Sequence, residues 1–332
     1  MNPENTTNIA KYEIAEHDII IPGTYPLAGT LTLPVLTNEQ RIPGVVILPG
    51  TGNNDRNGNS RLLRLDVYRD LARFLGEIGL ASVRYDKRGT FESGGDALTA
   101  GLHDLVDDAV SAVAWLRAHP RIDPERIIVL GHSEGALLAP AAAVRTPVQG
   151  LILLAGGVET MRDVMARQQE TAIREIEQLG GIKGWLLRLL RVPQKARKIN
   201  RALLERLASS TEPVIRFRGK KLPAKWFREH LAFNVADVLR QVSCPTLAVT
   251  GTEDIQAIPE HARVLAEWAG GPSEWHMVPG MSHILKKTDR PLDMLTLLKA
   301  YKRMAREPLD PDLLEILAEW VQRYIAPKGV KV

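Results

Sequence analysis

Residues 127–138 of this 332-residue chain have the sequence IIVLGHSEGALL. The first four residues are apolar and mostly β-branched, which is typical of a strand buried inside a sheet. Gly131, Ser133 and Gly135 then form the pattern G-x-S-x-G, and the small and apolar residues that follow favour a helix. A serine on a tight turn between a strand and a helix is the arrangement of a nucleophile elbow. The alternative is an ordinary glycine-bounded turn whose serine only caps the helix, so the rest of the chain must supply a base and an acid.

Apolar runs of strand length recur on both sides of this stretch. The first two are joined by a short turn rich in proline and glycine, which favours an antiparallel pair. The predicted strands cover residues 12–21, 27–33, 44–48, 81–85, 127–130, 150–154, 246–250 and 274–278. The later strands alternate with segments of helical periodicity. This alternation predicts an α/β protein with an eight-stranded, mostly parallel sheet covered on both faces.

Residues 158–236, between the sixth and seventh of these strands, show no strand pattern. Helical periodicity recurs near residues 161–179, 182–190 and 198–207. We therefore predict a helical cap, or lid, inserted at 158–236 into a core domain formed by residues 1–157 and 237–332. The predicted cap holds 17 Lys and Arg against 8 Asp and Glu, whereas the rest of the chain is acidic. Solvated helix faces explain this charge, and attraction to anionic substrates or to a membrane surface is the alternative.

The composition is that of a globular protein, with 45% hydrophobic and 25% charged residues. No apolar run approaches the roughly 20 residues that a membrane-spanning helix needs. The N-terminal stretch is polar and lacks the apolar segment of a secretory signal. The single cysteine, Cys244, cannot form an internal disulfide, which favours a reducing compartment. We therefore expect a cytoplasmic protein, a monomer or a homodimer, without stable insertion into a membrane.

A catalytic serine needs a general base, because its hydroxyl is a poor nucleophile at neutral pH. Of the eight histidines, only His283 lies in a glycine-containing loop directly after a late strand. The loop after the seventh strand offers Glu253 and Asp254 to orient that imidazole, and we prefer Asp254, which stands three residues after Gly251. The chain order Ser133, Asp254, His283 is the order expected of α/β-hydrolases. These three residues are the predicted catalytic triad.

Backbone amides are predicted to stabilise the oxyanion of the tetrahedral intermediate. In such an elbow one N–H comes from the residue after the nucleophile, here Glu134, and the other from the loop after the third strand, where Thr51 is the best candidate. In the predicted cap, Trp185, Trp226 and Phe227 supply apolar surface. We expect them to bind substrate, and their packing inside the cap is the alternative.

Other site patterns do not occur in the sequence. Gly50-x-Gly52 lacks the third glycine of a dinucleotide-binding loop, and no Gly-Lys-Ser/Thr phosphate loop is present. C-x-x-C and H-E-x-x-H spacings are absent, so we expect no metal and no cofactor. Basic residues do not interleave with aromatic ones, so we expect no nucleic-acid partner.

Together these motifs resemble the α/β-hydrolase superfamily, and more narrowly bacterial carboxylesterases close to the serine aminopeptidase-like and dienelactone-hydrolase-like groups. The resemblance rests on LAGTL at 27–31, PGTGNNDR at 49–56, YDKRG at 85–89 and GHSEG at 131–135. Relatives often have His-Gly or Ser-Gly where this chain has Pro49-Gly50. The resemblance implies a cofactor-free serine hydrolase that cleaves carboxylic esters of short to medium acyl chains through an acyl-enzyme.

Two other functions remain open from the sequence. The same triad serves an aminopeptidase or a thioesterase, and an aminopeptidase needs a cap carboxylate to hold the substrate amine. A non-catalytic binding protein of the α/β-hydrolase fold is the alternative from a different class. Such proteins usually lack a triad member, whereas every position is filled here. The expected partner is therefore a small-molecule acyl ester.

Overall fold

The computed structural model describes residues 11–37 and 40–325. Residues 1–10, which belong to the stretch predicted to carry no secretory signal, lie outside the described residues, as do 38–39 and 326–332. The strands are β1 (Ile14–Ile21), β2 (Leu27–Pro34), β3 (Ile42–Leu48), β4 (Ala81–Tyr85), β5 (Ile122–His132), β6 (Gly150–Leu154), β7 (Val214–Phe217), β8 (Lys220–Pro223), β9 (Thr246–Gly251) and β10 (Ser273–Val278). The helices are α1 (Val67–Glu77), α2 (Leu102–Ala118), α3 (Gly135–Arg145), α4 (Met161–Gln178), α5 (Gly181–Leu189), α6 (Val192–Ala208), α7 (Ala224–Ala232), α8 (Val235–Leu239), α9 (His261–Trp268), α10 (Leu297–Met304) and α11 (Pro311–Tyr324).

Eight of these strands form one sheet in the order β1-β2-β4-β3-β5-β6-β9-β10. Strand β2 is antiparallel to both of its neighbours, β1 and β4, and every later pairing in the sheet is parallel. The predicted eight-stranded, mostly parallel sheet is thus present. The carboxyl ends of the parallel strands meet at one edge, which is where ligands bind in open α/β sheets.

Helices cover both faces of the sheet. Helices α2, α3, α8 and α9 pack on one face, and α1 and α11 pack on the other. The central strands β3, β5 and β6 have apolar residues buried on both sides. This burial explains their continuous apolar runs, which differ from the alternation seen in a strand with one solvated face.

The segment between β6 and β9 holds α4 to α8, together with a hairpin of β7 and β8. The sequence did not predict this hairpin. Its strands are only four residues long, and Arg218-Gly219 at the turn is not one of the usual hairpin turn pairs. Both turn residues have positive φ, 50° and 82°, as a type I′ turn requires. The predicted boundary between residues 236 and 237 falls inside α8, which packs against the core face.

No helix in the part of the chain that the structure describes is both long and apolar enough to cross a bilayer.

Two glycines allow helix α3 to start directly behind strand β5. A Cβ at Gly131 would lie 2.0 Å from the carbonyl oxygen of Gly135, and a Cβ at Gly135 would lie 2.2 Å from that of Leu48 on β3. Distances this short are not tolerated by backbone atoms. The two glycines of the pattern G-x-S-x-G are therefore required by the packing of the fold, whatever the role of the serine.

We predict that Gly135→Ala lowers the free energy of unfolding by roughly 1–3 kcal/mol, because the added methyl must displace the backbone of β3. Gly157→Ala is the matched control, since its Cβ would meet only His261 Nδ1 at 3.8 Å. Urea unfolding of both variants measures the difference. Equal stability of the two variants would contradict the packing argument.

Candidate active site

Ser133 lies on the turn between β5 and α3 in a left-handed conformation, with φ of 55°. Non-glycine residues rarely adopt this conformation, so surrounding contacts must hold it. The Ser133 N–H donates to the carbonyl of Leu154 on β6 at 2.9 Å, and the Ser133 carbonyl accepts from the N–H of Ala136 at 3.0 Å. The turn is therefore fixed from both sides and holds the hydroxyl above the sheet edge.

The structure brings Ser133, His283 and Asp254 together in one hydrogen-bonded row. His283 Nε2 lies 3.1 Å from Ser133 Oγ, and His283 Nδ1 lies 2.8 Å from Asp254 Oδ2. The other oxygen of Asp254 accepts from the backbone N–H groups of Gln256 and Ala257, both at 2.8 Å. Because Nδ1 faces a carboxylate, it carries the proton, and Nε2 is left to accept the hydroxyl proton of Ser133.

A cavity of about 520 Å³ opens over this row. Thr51, Glu134 and Trp226, three of the predicted site residues, line it. Trp185 and Phe227 do not. Trp185 is 58% exposed on α5, and Phe227 packs in a small apolar cluster inside the segment 158–236. The expectation that these two side chains contact substrate is therefore corrected: the helices that carry them present them to solvent and to the segment's own core.

The residues of the two predicted oxyanion donors lie on the wall of the same cavity as Ser133. Both Thr51 and Glu134 line the cavity, and within the described chain no other protein group accepts a hydrogen bond from either backbone N–H. Glu134 also immediately precedes α3, where the helix dipole favours negative charge. The arrangement suits a developing negative charge between the two amides.

A buried lysine connects the two donors. Lys87 Nζ donates to the carbonyl oxygen of Gly50 at 2.8 Å and lies 3.2 Å from Glu134 Oε2. The Gly50 carbonyl and the Thr51 N–H belong to one trans peptide, so they point in opposite directions. By holding the carbonyl, Lys87 orients the Thr51 N–H and polarises that peptide.

Helix α7 satisfies the remaining oxygen of Glu134. Trp226 Nε1 donates to Glu134 Oε1 at 2.7 Å, and His230 Nε2 lies 3.0 Å from the same oxygen. Burial alone would raise the pKa of Glu134, but Lys87 and the contacts from His230 and Trp226 outweigh it and lower the pKa to about 2. The carboxylate is thus ionised, and it ties α7 to the elbow.

His132, next to Ser133, does not join the hydrogen-bonded row of Ser133, His283 and Asp254. It belongs to a second network of buried hydrogen bonds. Its Nε2 lies 2.8 Å from the carbonyl oxygen of His283, which can only accept, so Nε2 carries the proton. Its Nδ1 then accepts from Tyr68 Oη at 3.0 Å, and Tyr68 Oη in turn accepts from the Gly50 N–H at 2.7 Å. Burial, followed by the nearby His283, lowers the pKa of His132 to about 3, so its ring is neutral. The network links the loops that carry Gly50 and His283.

An ion pair also supports the loop after β3. Arg56 binds Asp86 through both its side chain, at 2.8 Å, and its backbone N–H, at 2.7 Å. The neighbouring Arg88 instead forms a two-pronged pair with Asp108 on α2. These contacts join the loops after β3 and β4 to the core. They do not involve Ser133, His283 or Asp254.

The sequence did not identify Lys87, Tyr68 or His230 as site residues. Each is buried, but nothing in its local pattern distinguishes it from a loop or helix residue exposed to solvent. The only signal for Lys87 was its place in the YDKRG motif. Within the described residues, no cluster of three or more His, Cys, Asp and Glu is arranged to hold a metal ion.

Comparison with known proteins gives one family match. The family described as serine aminopeptidase, S33, matches residues 64–288. Over 259 residues the chain is 28% identical to the esterase EstD of Thermotoga maritima, an alignment that covers 77% of this chain and 56% of EstD. The chain thus spans just over half the length of that curated relative.

Two solved structures share this architecture. Est1E of Butyrivibrio proteoclasticus, bound to ferulic acid, superposes with a TM-score of 0.56 at 19% identity, covering 86% of this chain and 97% of Est1E. The α/β-hydrolase GrgF of a Penicillium species superposes with a TM-score of 0.59 at 18% identity, covering 94% of this chain and 100% of GrgF. At these identities the likeness establishes the fold, and the predicted α/β-hydrolase fold is confirmed.

We predict that His132 makes the protein less stable as the pH falls below 6.5. Its pKa is about 3 in the folded chain against an ordinary value of 6.5, so between these values the unfolded chain binds more protons at this position. The free energy of unfolding then falls as pH falls, by about 1.4 kcal/mol per pH unit for one group. Urea unfolding between pH 6.5 and 4.5 measures the effect above the range in which the lowered pKa of Glu134 acts. Burial also lowers the pKa of His119 and His261, so the contribution of His132 is the difference between the wild type and a variant that lacks only this imidazole.

His132→Gln is the comparison, because glutamine keeps a donor for the His283 carbonyl but does not titrate. Its stability should depend less steeply on pH in this window than that of the wild type. Parallel pH profiles would show that the buried His132 does not contribute.

Proposed function

The chain belongs to the serine aminopeptidase S33 family of α/β-hydrolases, and within that family we propose that it is a serine esterase. It cleaves carboxylic esters of short to medium acyl chains through an acyl-enzyme. The observation that carries this proposal is the hydrogen-bonded row of Ser133, His283 and Asp254, in which Ser133 and His283 line the cavity. The name of EstD, an esterase, supports the choice of ester over other acyl compounds.

In the proposed mechanism Ser133 Oγ attacks the ester carbonyl while His283 Nε2 takes its proton. The tetrahedral intermediate collapses, His283 gives the proton to the leaving alcohol, and an ester of Ser133 remains. Water then attacks the acyl carbon while His283 takes its proton. The second tetrahedral intermediate collapses, His283 returns the proton to Ser133 Oγ, and the carboxylic acid leaves. Asp254 stabilises the imidazolium that forms in each half-reaction.

The Thr51 and Glu134 amides hold the oxyanion in both steps. A donor that is already oriented contributes most, because no reorganisation is needed when the charge forms. Lys87 provides that orientation for Thr51 through the Gly50 carbonyl, and it secures Glu134 through its carboxylate. We therefore assign Lys87 as a positioning residue of the oxyanion hole.

The segment 158–236 acts as the cap of the site. Trp226 and His230 on α7, and Met161, Val164 and Arg167 at the start of α4, line the cavity above Ser133. A volume of about 520 Å³ is within the range of small-molecule pockets and suits a short or medium acyl ester.

An aminopeptidase requires a free carboxylate to bind the substrate amine. Glu159 is the only acidic residue of the cap on the cavity wall in the described chain. Both of its oxygens are held by Arg167, at 2.7–3.0 Å. Because Arg167 already neutralises its charge, the Glu159 carboxylate is not free to bind a substrate amine. This favours an ester substrate over a peptide with a free N-terminus.

We predict that Ser133→Ala lowers kcat/KM for p-nitrophenyl esters of short to medium chain length by about 10⁴-fold or more, because no other group replaces the nucleophile. Ser209→Ala, at an exposed serine that ends α6, is the control and should match the wild type. Near-native activity of the Ser133 variant would overturn the assignment. Faster cleavage of aminoacyl anilides or thioesters than of esters by the wild type would replace the proposed substrate class. Inactivity of the wild type on all three would favour the binding protein.

We predict that Lys87→Met lowers kcat by about 10²-fold, comparable to the loss of an oxyanion donor, with little change in KM, because the donor acts mainly in the transition state. Steady-state kinetics on the same esters measures both constants. The control is Lys225→Met, which removes an ion pair to Asp104 outside the cavity and should leave kcat unchanged. A rise in KM at constant kcat would show that Lys87 only shapes the pocket.

A further inference from the structure

Helix α5 presents its apolar side chains to solvent. Ile182, Trp185, Leu186 and Leu189 are spaced by three and four residues, so they share one helix face. Their exposed fractions include 83% for Ile182, 58% for Trp185 and 60% for Leu189. The buried position of this helix is Gly184, which lies on the opposite side. We call these four residues the α5 face.

This face lies away from the active site. Helix α5 packs on α4 and α6, and the cavity over Ser133 has no lining residue from α5. Apolar side chains that neither pack in a core nor contact the cavity leave a surface without a partner in the chain as described. An exposed apolar patch of this kind marks an interaction site.

The α5 face is surrounded by positive charge. Between Glu177 and Glu205 the sequence contains no acidic residue. It contains seven basic ones, namely Lys183, Arg188, Arg191, Lys195, Arg197, Lys198 and Arg201. Within the described chain only Arg197 of these seven forms an ion pair with an acidic side chain, Glu170. Arg188 donates to backbone carbonyls at the end of α4, such as that of Leu179 at 2.9 Å, so its charge is not matched by a carboxylate. An apolar stripe with a tryptophan, flanked by basic groups that mostly lack an acidic partner, is the pattern of a helix that lies in the plane of a membrane interface.

We propose that the α5 face docks the protein on an anionic lipid surface. Trp185 and the leucines enter the boundary between headgroups and acyl chains, and the basic residues of α5 and α6 bind the lipid phosphates. The contact is peripheral and reversible, because a nine-residue helix cannot span a bilayer.

The charge also argues against a second copy of the chain as the occupant. A symmetric dimer through the α5 face would bring two of these basic segments together, and their mutual repulsion would oppose association. An anionic lipid surface provides both the apolar medium and the opposite charge. This proposal does not depend on the esterase activity, and its test does not use it.

The test is co-sedimentation of the full chain with vesicles. Wild-type protein should bind vesicles of phosphatidylcholine mixed with phosphatidylserine, and high salt should weaken this binding. The double variant Trp185→Glu, Leu189→Glu should bind at least about tenfold more weakly, because it places charge where the apolar contact forms. Lys183→Gln and Arg191→Gln should each weaken binding by about fivefold. Leu298→Glu, at an exposed leucine on α10, is the control and should bind like the wild type.

Circular dichroism melting establishes that each variant is folded before sedimentation, since all the changed side chains are exposed. Absence of wild-type binding to the mixed vesicles would overturn the proposal. So would equal binding to vesicles of phosphatidylcholine alone, which would remove the role of charge. A wild-type dimer that the Trp185→Glu, Leu189→Glu variant dissociates would assign the α5 face to a second copy.

Discussion

The left-handed turn at Ser133 is the constraint on which the rest of the site depends. A serine with φ of 55° is held only where strand and helix approach so closely that Gly131 and Gly135 have no room for a side chain. This geometry places the hydroxyl at the carboxyl edge of the sheet, where the loops after β9 and β10 bring Asp254 and His283 within hydrogen-bonding distance. The strain is stored in the elbow and is stabilised by the core strands around it.

Buried polar contacts extend this arrangement to the neighbouring loops. Lys87 and Tyr68 bind the two peptide groups on either side of Gly50. Lys87 donates to the Gly50 carbonyl, and Tyr68 Oη accepts from the Gly50 N–H. Glu134 joins the elbow to α7, and His132 joins it to the backbone of His283. Each of these groups has a partner for its charge or hydrogen-bonding capacity, which is the condition under which a buried polar network rigidifies a site. We infer that the same elbow positions the loop that carries Gly50, the loop that carries His283, and helix α7.

Much of this could be predicted from the sequence, because the relevant signals are local. Apolar runs bounded by glycine and proline indicated the eight strands of the sheet, and the elbow, Asp254 and His283 each follow a strand. The contacts of Lys87, Tyr68 and His230 could not be predicted, since they join segments far apart in the chain. The apolar surface of Trp185 and Trp226 in the predicted cap suggests that both contact substrate. The structure instead shows a segment with two sides, in which Trp226 faces the cavity and the α5 face looks outward.

The central claim is that Ser133 is a nucleophile activated by His283. Incubation of the wild-type protein with a fluorophosphonate, followed by peptide mass spectrometry, tests it most directly. Such a probe reacts covalently with an activated serine and does not depend on the identity of the natural acyl group. We predict one adduct per chain, on the peptide that contains Ser133, and a much slower reaction in His283→Ala. An adduct on another residue, or no adduct at all, would contradict it.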